Sequence, residues 1–294
     1  MRRPIIVVFL SLFLMACQAL AAERGALFKV SGQAHTLYLY GTIHAGKPDY
    51  YPLEPRIGKA LAGASTLALE VDAGGDPAAV QAAFSRHGLF PAGRAAYAGL
   101  PAERRQRLQA ALKTQGVDPA AVGQMKPWML VMMLALVDVA KLGYDPALGV
   151  DLHLAGLARG KTRISELESV QYQAALLDRM PIETQWTLLE ETLEHMASGR
   201  QLREARALFA AYEQADRTAL EGIAERIEND DSVSGKFMRE VMLAERNGPM
   251  ADKAAALLAR ENNAVVAIGL MHLLGKEGVP ELLRKRGLQV ERVY

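Results

Sequence analysis

The chain predicts an α/β protein: a central, mostly parallel or mixed sheet split between the N- and C-terminal parts, with a large helical insertion between them. Three observations predict it. Leu37-Tyr38-Leu39-Tyr40 is an apolar and aromatic run that ends at Gly41 and delivers His44, the composition of a strand stopped where the backbone needs freedom. Ala264-Val265-Val266-Ala267-Ile268 is nearly continuous in apolar character, as in a strand buried on both faces, and it ends at Gly269 and delivers His272. Between the two, from about residue 76 to residue 262, the punctuation is mostly that of helices.

Taken in order, Ala26 to Val30 and His35 to Tyr40 flank the short connection Ser31-Gly32-Gln33 and read as a β-hairpin. Ala45 to Pro55 carries Gly46, Pro48, Pro52 and Pro55 and reads as a loop. A helix through Ile57 to Ala62 leads to a strand, Ser65 to Leu69, that delivers Glu70 and then Asp72. This strand, helix, strand order favours a parallel pair. Asp76-Pro77 is an N-cap with Pro at the first helical position, Gly88 is the stop, and Pro101 opens a second helix closed by Gly116.

Lys126-Pro127-Trp128 opens an apolar helix reaching about Leu142, expected to be buried on most sides as a central support. Its core, Met129 to Val137, is too short for the roughly 18 residues of a membrane span. Gly149 to Ala158 is a shorter helix, and Thr162 to Glu166 reads as a strand. Helices are expected near 170–178, 182–197, 202–217, 219–227, 235–246 and 250–260, forming a lid over the sheet. The pattern returns to α/β with the strand ending at Ile268, a helix from Val279 to Arg286 and a strand from Gln289 to Val293.

Composition excludes some functions. Half of the 294 residues are hydrophobic, enough for a sizeable core. With 34 basic and 33 acidic residues the net charge is +1 and no long block of like charge occurs, so nothing points to nucleic acid. Residues 1–22 read as a secretory leader: basic Met1-Arg2-Arg3, an apolar stretch from Ile5 to Ala16, and the small-x-small site Ala19-Leu20-Ala21. Leu14-Met15-Ala16-Cys17 also resembles a lipobox, in which a lipidated Cys17 would attach the protein to a membrane. The expected location is therefore periplasmic or membrane-anchored in a bacterial envelope, with residues 23–294 as one domain. Cys17 is the only cysteine, so the mature domain relies on its core rather than on disulfides.

Strand ends are where ligands bind in open α/β sheets. Two Gly-x-x-His segments and Glu70 at such ends offer two imidazoles and a carboxylate, a donor set suited to Fe, Mn, Co or Zn with positions left for water. Singly, a histidine after a strand is more often structural, and Glu70 also reads as a strand-end acid capping a turn. Glu245-Arg246-Asn247 falls at the predicted end of a helix before Gly248-Pro249. Arg246 there either satisfies orphan carbonyls or, with Asn247 beside it, holds an oxyanion or a substrate carboxylate. Asp145 and Asp151 read as braces of a short helix bearing His153, and Glu166 and Glu168 as solvated strand-end acids.

Tyr40-Gly41-Thr42-Ile43-His44, Leu69-Glu70-Val71-Asp72, Lys126-Pro127-Trp128, Gly143-Tyr144-Asp145 with Gly149-Val150-Asp151, Glu245-Arg246-Asn247 and Gly269-Leu270-Met271-His272-Leu273 occur in this order. The ordered set resembles the TraB/GumN family, related to the Tiki proteases and more distantly to erythromycin esterases and ChaN-like proteins. The resemblance covers roughly residues 26 to 294. It implies a metal-dependent hydrolase acting on peptides, with His44, His272 and Glu70 at a divalent ion (Mn, Co, Zn or Fe) and Glu70, His44, Arg246 and Asn247 in catalysis. Relatives imply two alternatives: a metal-free esterase-like hydrolase of small molecules with His44 as general base, or a non-enzymatic haem- or ligand-binding envelope lipoprotein. Leu270-Met271 is more apolar than the polar pair some relatives carry there.

Overall fold

The structure, a computed structural model, describes residues 22–294 except Gln33, Ala95 and Ala98. The leader and Cys17 lie outside the described residues, apart from Ala22. Six strands, β1 (Leu27–Gly32), β2 (His35–Thr42), β3 (Thr66–Leu69), β4 (Arg163–Glu166), β5 (Ala264–Gly269) and β6 (Gln289–Arg292), form one mixed sheet in the order β4-β3-β5-β2-β1-β6. The β1–β2 hairpin is antiparallel as expected, and β6 adds to its outer side. β2, β5, β3 and β4 run parallel.

The expected direct pairing of the strands on either side of the first helix does not occur, because β5 lies between them. Five of the six residues of β5 are buried, and the centre of the sheet is where both faces of a strand are covered. Its insertion sets the two motifs side by side: Gly41 pairs with Ile268 and Thr42 with Gly269, so both histidines leave the same edge of neighbouring strands.

The helices are α1 (Pro55–Ala62), α2 (Pro77–Gly88), α3 (Ala102–Thr114), α4 (Pro127–Lys141), α5 (Val150–Ala158), α6 (Val170–Asp178), α7 (Ile182–Ala197), α8 (Arg200–Glu213), α9 (Arg217–Glu228), α10 (Val233–Lys236), α11 (Glu245–Arg260) and α12 (Val279–Lys285). Two hydrophobic cores result. One packs the sheet against α1, α5 and α11, with Leu39, Leu67, Val266, Leu154 and Met250 inside it. The other lies within the helical block, where Leu112, Leu130, Leu134, Trp186 and Leu189 bring α3, α4 and α7 together. Each fully buried Leu contributes about 1.5–3 kcal/mol against exposure.

Local chemistry explains where the elements start and stop. The Asp76 side chain accepts from the Ala79 N–H at 2.9 Å, capping α2 ahead of Pro77. α8 ends at Glu213, earlier than the expected 217, because Asp216 is the N-cap of α9 and accepts from the Ala219 N–H. α4 is less enclosed than its composition suggests: Met132 is 39% and Leu136 50% exposed, since the helix packs mainly on α7 and presents another side to solvent. No described helix is long and apolar enough to cross a membrane.

The helix expected to end at Arg246 instead continues. α10 runs through a π-helical segment, Phe237–Ala244, into α11, with Pro249 inside the latter. In the π segment the Glu245 N–H reaches the carbonyl of Glu240, five residues back.

Candidate functional site

The site forms where β2, β3 and β5 end. Glu70 directly follows β3, and its Oε1 accepts the Gly269 N–H. A Cβ added at Gly269 would stand 2.9 Å from Glu70 Oε1, 3.5 Å from His44 Nε2 and 3.7 Å from the His272 ring. The glycine therefore leaves open the space on which all three side chains converge, as the sequence led us to expect.

His272 is buried, its side chain 5% exposed. Its Nδ1 lies 2.6 Å from Asn247 Oδ1, while Asn247 Nδ2 donates to the Glu277 carbonyl at 2.7 Å. With its amide nitrogen so committed, Asn247 offers an oxygen to the imidazole, so Nδ1 carries the proton and Nε2 a lone pair. That lone pair faces Glu70 Oε1 at 3.7 Å, too far for a hydrogen bond. Burial lowers the His272 pKa to about 4 despite the opposing charge of Glu70, which leaves the ring neutral near pH 7.

His44 is its opposite in setting. Its side chain is 67% exposed, and Nδ1 lies 3.4 Å from Asp151 Oδ1. The carboxylate oxygen is buried without a well-directed hydrogen bond, so the contact acts chiefly through charge. Burial would lower the His44 pKa, yet contact with Asp151 and the charge of Glu70 raise it above the ordinary value. With so much of the ring open to solvent, the two carboxylates outweigh burial and favour the protonated ring. Asp151 comes close because Gly149 approaches the His44 carbonyl where a Cβ would meet it at 2.9 Å, and the Val150 N–H donates to Ile43 at 2.9 Å.

Arg246 ties the carboxylates together. Its Nη2 donates to Glu70 Oε2 at 2.5 Å and to Glu168 Oε2 at 2.8 Å, its Nε reaches both Glu168 oxygens at 3.1 Å, and Nη1 caps the Met242 carbonyl at 3.1 Å. Glu168 arrives because the β3–β4 ladder continues past the strands, with its N–H donating to the Glu70 carbonyl at 2.8 Å. Burial favours a neutral Glu70, but nearby positive charge and the Gly269 N–H hold its pKa at about 2. With His272 neutral, that charge comes from His44, whose own pKa is raised, and from Arg246, with the backbone N–H adding to it.

Thus His44, Glu70, His272, Arg246 and Asn247 all gather at one site, and the polar atoms of Arg246 and Asn247 are turned to protein partners. Two partners were not singled out from the sequence. Asp151 read as a helix brace, although its place in the Gly149-Val150-Asp151 motif was a usable signal. Glu168 read as solvated, although its side chain is 6% exposed. Asp145 does not brace the helix bearing His153: its side chain accepts from the Ala147 N–H and caps the 3-10 turn Pro146–Leu148 just before that helix.

Two cavities, of about 190 and 290 Å³, share Thr42, His44, Glu70, Met242 and Arg246, so the site stands at their junction. A larger cavity of about 990 Å³ lies elsewhere, lined partly by α9 and α12. Several of its charges pair with one another, as Arg284 does with Glu281 and Lys285 with Glu277, and it includes none of the residues above. Among the described residues, no group of three or more His, Cys, Asp or Glu side chains is already set to hold a metal ion.

Comparison with known proteins agrees with the ordered motifs. The chain is 28% identical over 257 residues to the uncharacterized protein YbaP of Shigella flexneri and of Escherichia coli (strain K12), covering 86% of this chain and 89% of each relative. No solved structure matches it. The TraB/PrgY/gumN family profile matches residues 26–292, almost the whole described chain, and the protein belongs to that family.

Proposed function

We propose that the protein is a metal-dependent hydrolase acting on peptide bonds. The observation that carries this reading is the convergence of His44 Nε2, Glu70 Oε1 and the His272 ring on the space beside Gly269. The donor chemistry fits a divalent ion of the Mn, Co, Zn or Fe kind: each imidazole turns Nδ1 to a protein oxygen and Nε2 inward, the arrangement that orients histidine ligands. His44 and His272 would hold the ion, with Glu70 either as a third ligand or as the base that takes a proton from water, and the ion when bound lowers the pKa of water and polarises a carbonyl.

The chain's own residues do the remaining work. Arg246 keeps Glu70 ionised, so Oε1 is ready to accept the proton of an attacking water. Asn247 fixes the His272 tautomer, and Asp151 orients His44. Hydrolysis places the water's hydroxyl on the carbonyl carbon as the C–N bond breaks, and the proton held at Glu70 passes to the departing nitrogen. Arg246 and Asn247 therefore act as positioning residues rather than as direct ligands of the substrate.

A His44→Ala variant of the mature protein tests the reading, with metal content and cleavage of internally quenched peptides as measurements. Loss of both is expected, and retained cleavage would sink the proposal. One observation favours a second reading, a metal-free hydrolase with His44 as general base: Arg246 already supplies a positive charge to Glu70. Activity that survives exhaustive chelation would select it.

A further inference from the structure

The cavities on either side of the site differ in position but share an apolar character. The smaller is walled by Leu208, Met238, Leu243, Leu270 and Met271. The larger is walled by Val80, Phe84, Met132, Val170, Leu176 and Leu177. Together they reach the lower end of the volumes typical of small-ligand sites, about 300–1,000 Å³. Met132, which lines the second lobe, is itself 39% exposed.

The ionisable residues lining both lobes are His44, Glu70, Asp151, Arg246 and His272. All face one another: Arg246 pairs with Glu70, Asp151 faces His44, and His272 is held by Asn247. Among the described residues, neither lobe thus offers an uncommitted charge to a free terminal amine or carboxylate. An exopeptidase needs such a charge, because leaving a substrate terminus buried and unpaired is costly.

We infer that the substrate is an extended peptide cut at an internal bond, with an apolar side chain on each side of that bond seated in one lobe. The inference rests on the peptide-hydrolase reading for the chemistry, but its geometry is testable by binding alone. Cleavage would add the water's hydroxyl to the carbonyl carbon on one side and a proton to the nitrogen on the other, leaving two shorter peptides.

The test uses the full mature chain carrying His44→Ala, so that bound peptide is not turned over, and fluorescence anisotropy of labelled peptides blocked at both ends. A peptide with Leu-Leu at its centre is expected to bind, and replacing either Leu by Asp should weaken binding about tenfold or more, the effect of burying an unpaired charge. Adding Met238→Trp should penalise a large residue on one side only, and Val80→Trp on the other, with Gly on the affected side restoring binding. The Asp peptides keep the test valid should a Trp variant not fold. Equal binding of Leu and Asp peptides, preference for an unblocked dipeptide, or no binding of the blocked Leu-Leu peptide would overturn the inference. Turnover by the unmutated protein separates the two readings. Binding of Leu-Leu without cleavage in Mn, Co or Zn would defeat the hydrolase and leave only the seating of an apolar side chain in each lobe; cleavage indifferent to the flanking residues would defeat that seating and leave the hydrolase.

Discussion

His44 and His272 stand three residues beyond a glycine, at the same edge of two paired parallel strands, yet their surroundings push them in opposite directions. His272 is buried, hydrogen-bonded to a neutral amide and held neutral. His44 is open to the cavity, lies beside a carboxylate and binds protons more tightly than an ordinary histidine. The same short motif thus yields a fixed, lone-pair-bearing ring on one side and a solvent-facing, charge-tuned ring on the other. The difference comes from what each strand end meets: α11 and the segment after β5 in one case, α5 in the other.

The largest way to break this asymmetry is to remove the guanidinium between the carboxylates. Arg246→Met leaves Glu70 and Glu168 buried and unpaired, and denaturant unfolding should show a loss of about 3–5 kcal/mol. In whatever folded protein remains, the His272 pKa measured by NMR should rise, because Glu70 would then have only imidazoles as cationic partners. An unchanged stability would mean that the Arg246 network is not what holds the buried half together.

The two motif glycines should separate next. Gly41→Ala places a Cβ 2.7 Å from Leu270 Cδ1 and 3.2 Å from its Cα, an overpacking that should cost about 1–3 kcal/mol in unfolding experiments. Gly269→Ala instead crowds Glu70 Oε1, so peptide cleavage and metal uptake should fall more than the melting temperature does. Equal effects of the two substitutions on stability and activity would erase the distinction drawn here. Asn247→Ala is a smaller change: it removes the acceptor that sets the His272 tautomer, and metal affinity or activity should drop about 10- to 100-fold. No change in either would assign that hydrogen bond to stability alone.

The smallest effect is on the pH dependence of folding, measured in chelator-treated protein. For His272, a native pKa of about 4 lies below the unfolded value of about 6.5. The unfolded chain binds the extra proton, so this group's contribution is present above pH 6.5 and is lost as pH falls toward 4. For His44 the native pKa is raised, so its contribution is present below about 6.5 and is lost as pH climbs through the raised value. His272→Gln should flatten the acid side of the profile and Asp151→Asn the alkaline side. If each variant altered the other side, the opposed assignments would be reversed.

Much of this site was readable because its residues lie in strand-end motifs. The runs before Gly41 and Gly269 and the acid after Leu69 carry a period-two or fully buried signature, and strand ends in such sheets converge. Other parts were hidden for physical reasons. Strand order is a long-range property, so nothing local to Ser65–Leu69 revealed that β5 would intervene. An acid in the first turn of a helix looks the same whether it braces that helix or faces a histidine, which concealed Asp151. Gly248-Pro249 is ordinarily a helix stop, and a π segment five residues per hydrogen bond leaves no mark in a 3.6-residue pattern, so Arg246 was expected at a helix end. Composition likewise showed that α4 was apolar without showing which side it would bury.

The placement of β5 also bears on how the chain folds. β2 ends at Thr42 and β5 begins at Ala264, so the central ladder closes one of the longest loops in the molecule, and contacts of such separation are slow to form. During synthesis, which proceeds from the N-terminus at about 5–20 residues per second, β2 and β3 must wait with apolar edges unpaired. The β1–β2 hairpin and the helical core around Trp186 need only nearby partners and are free to form first. Because His272 follows the same strand that joins the two halves of the sheet, a growing chain acquires its complete site only as it acquires its complete fold.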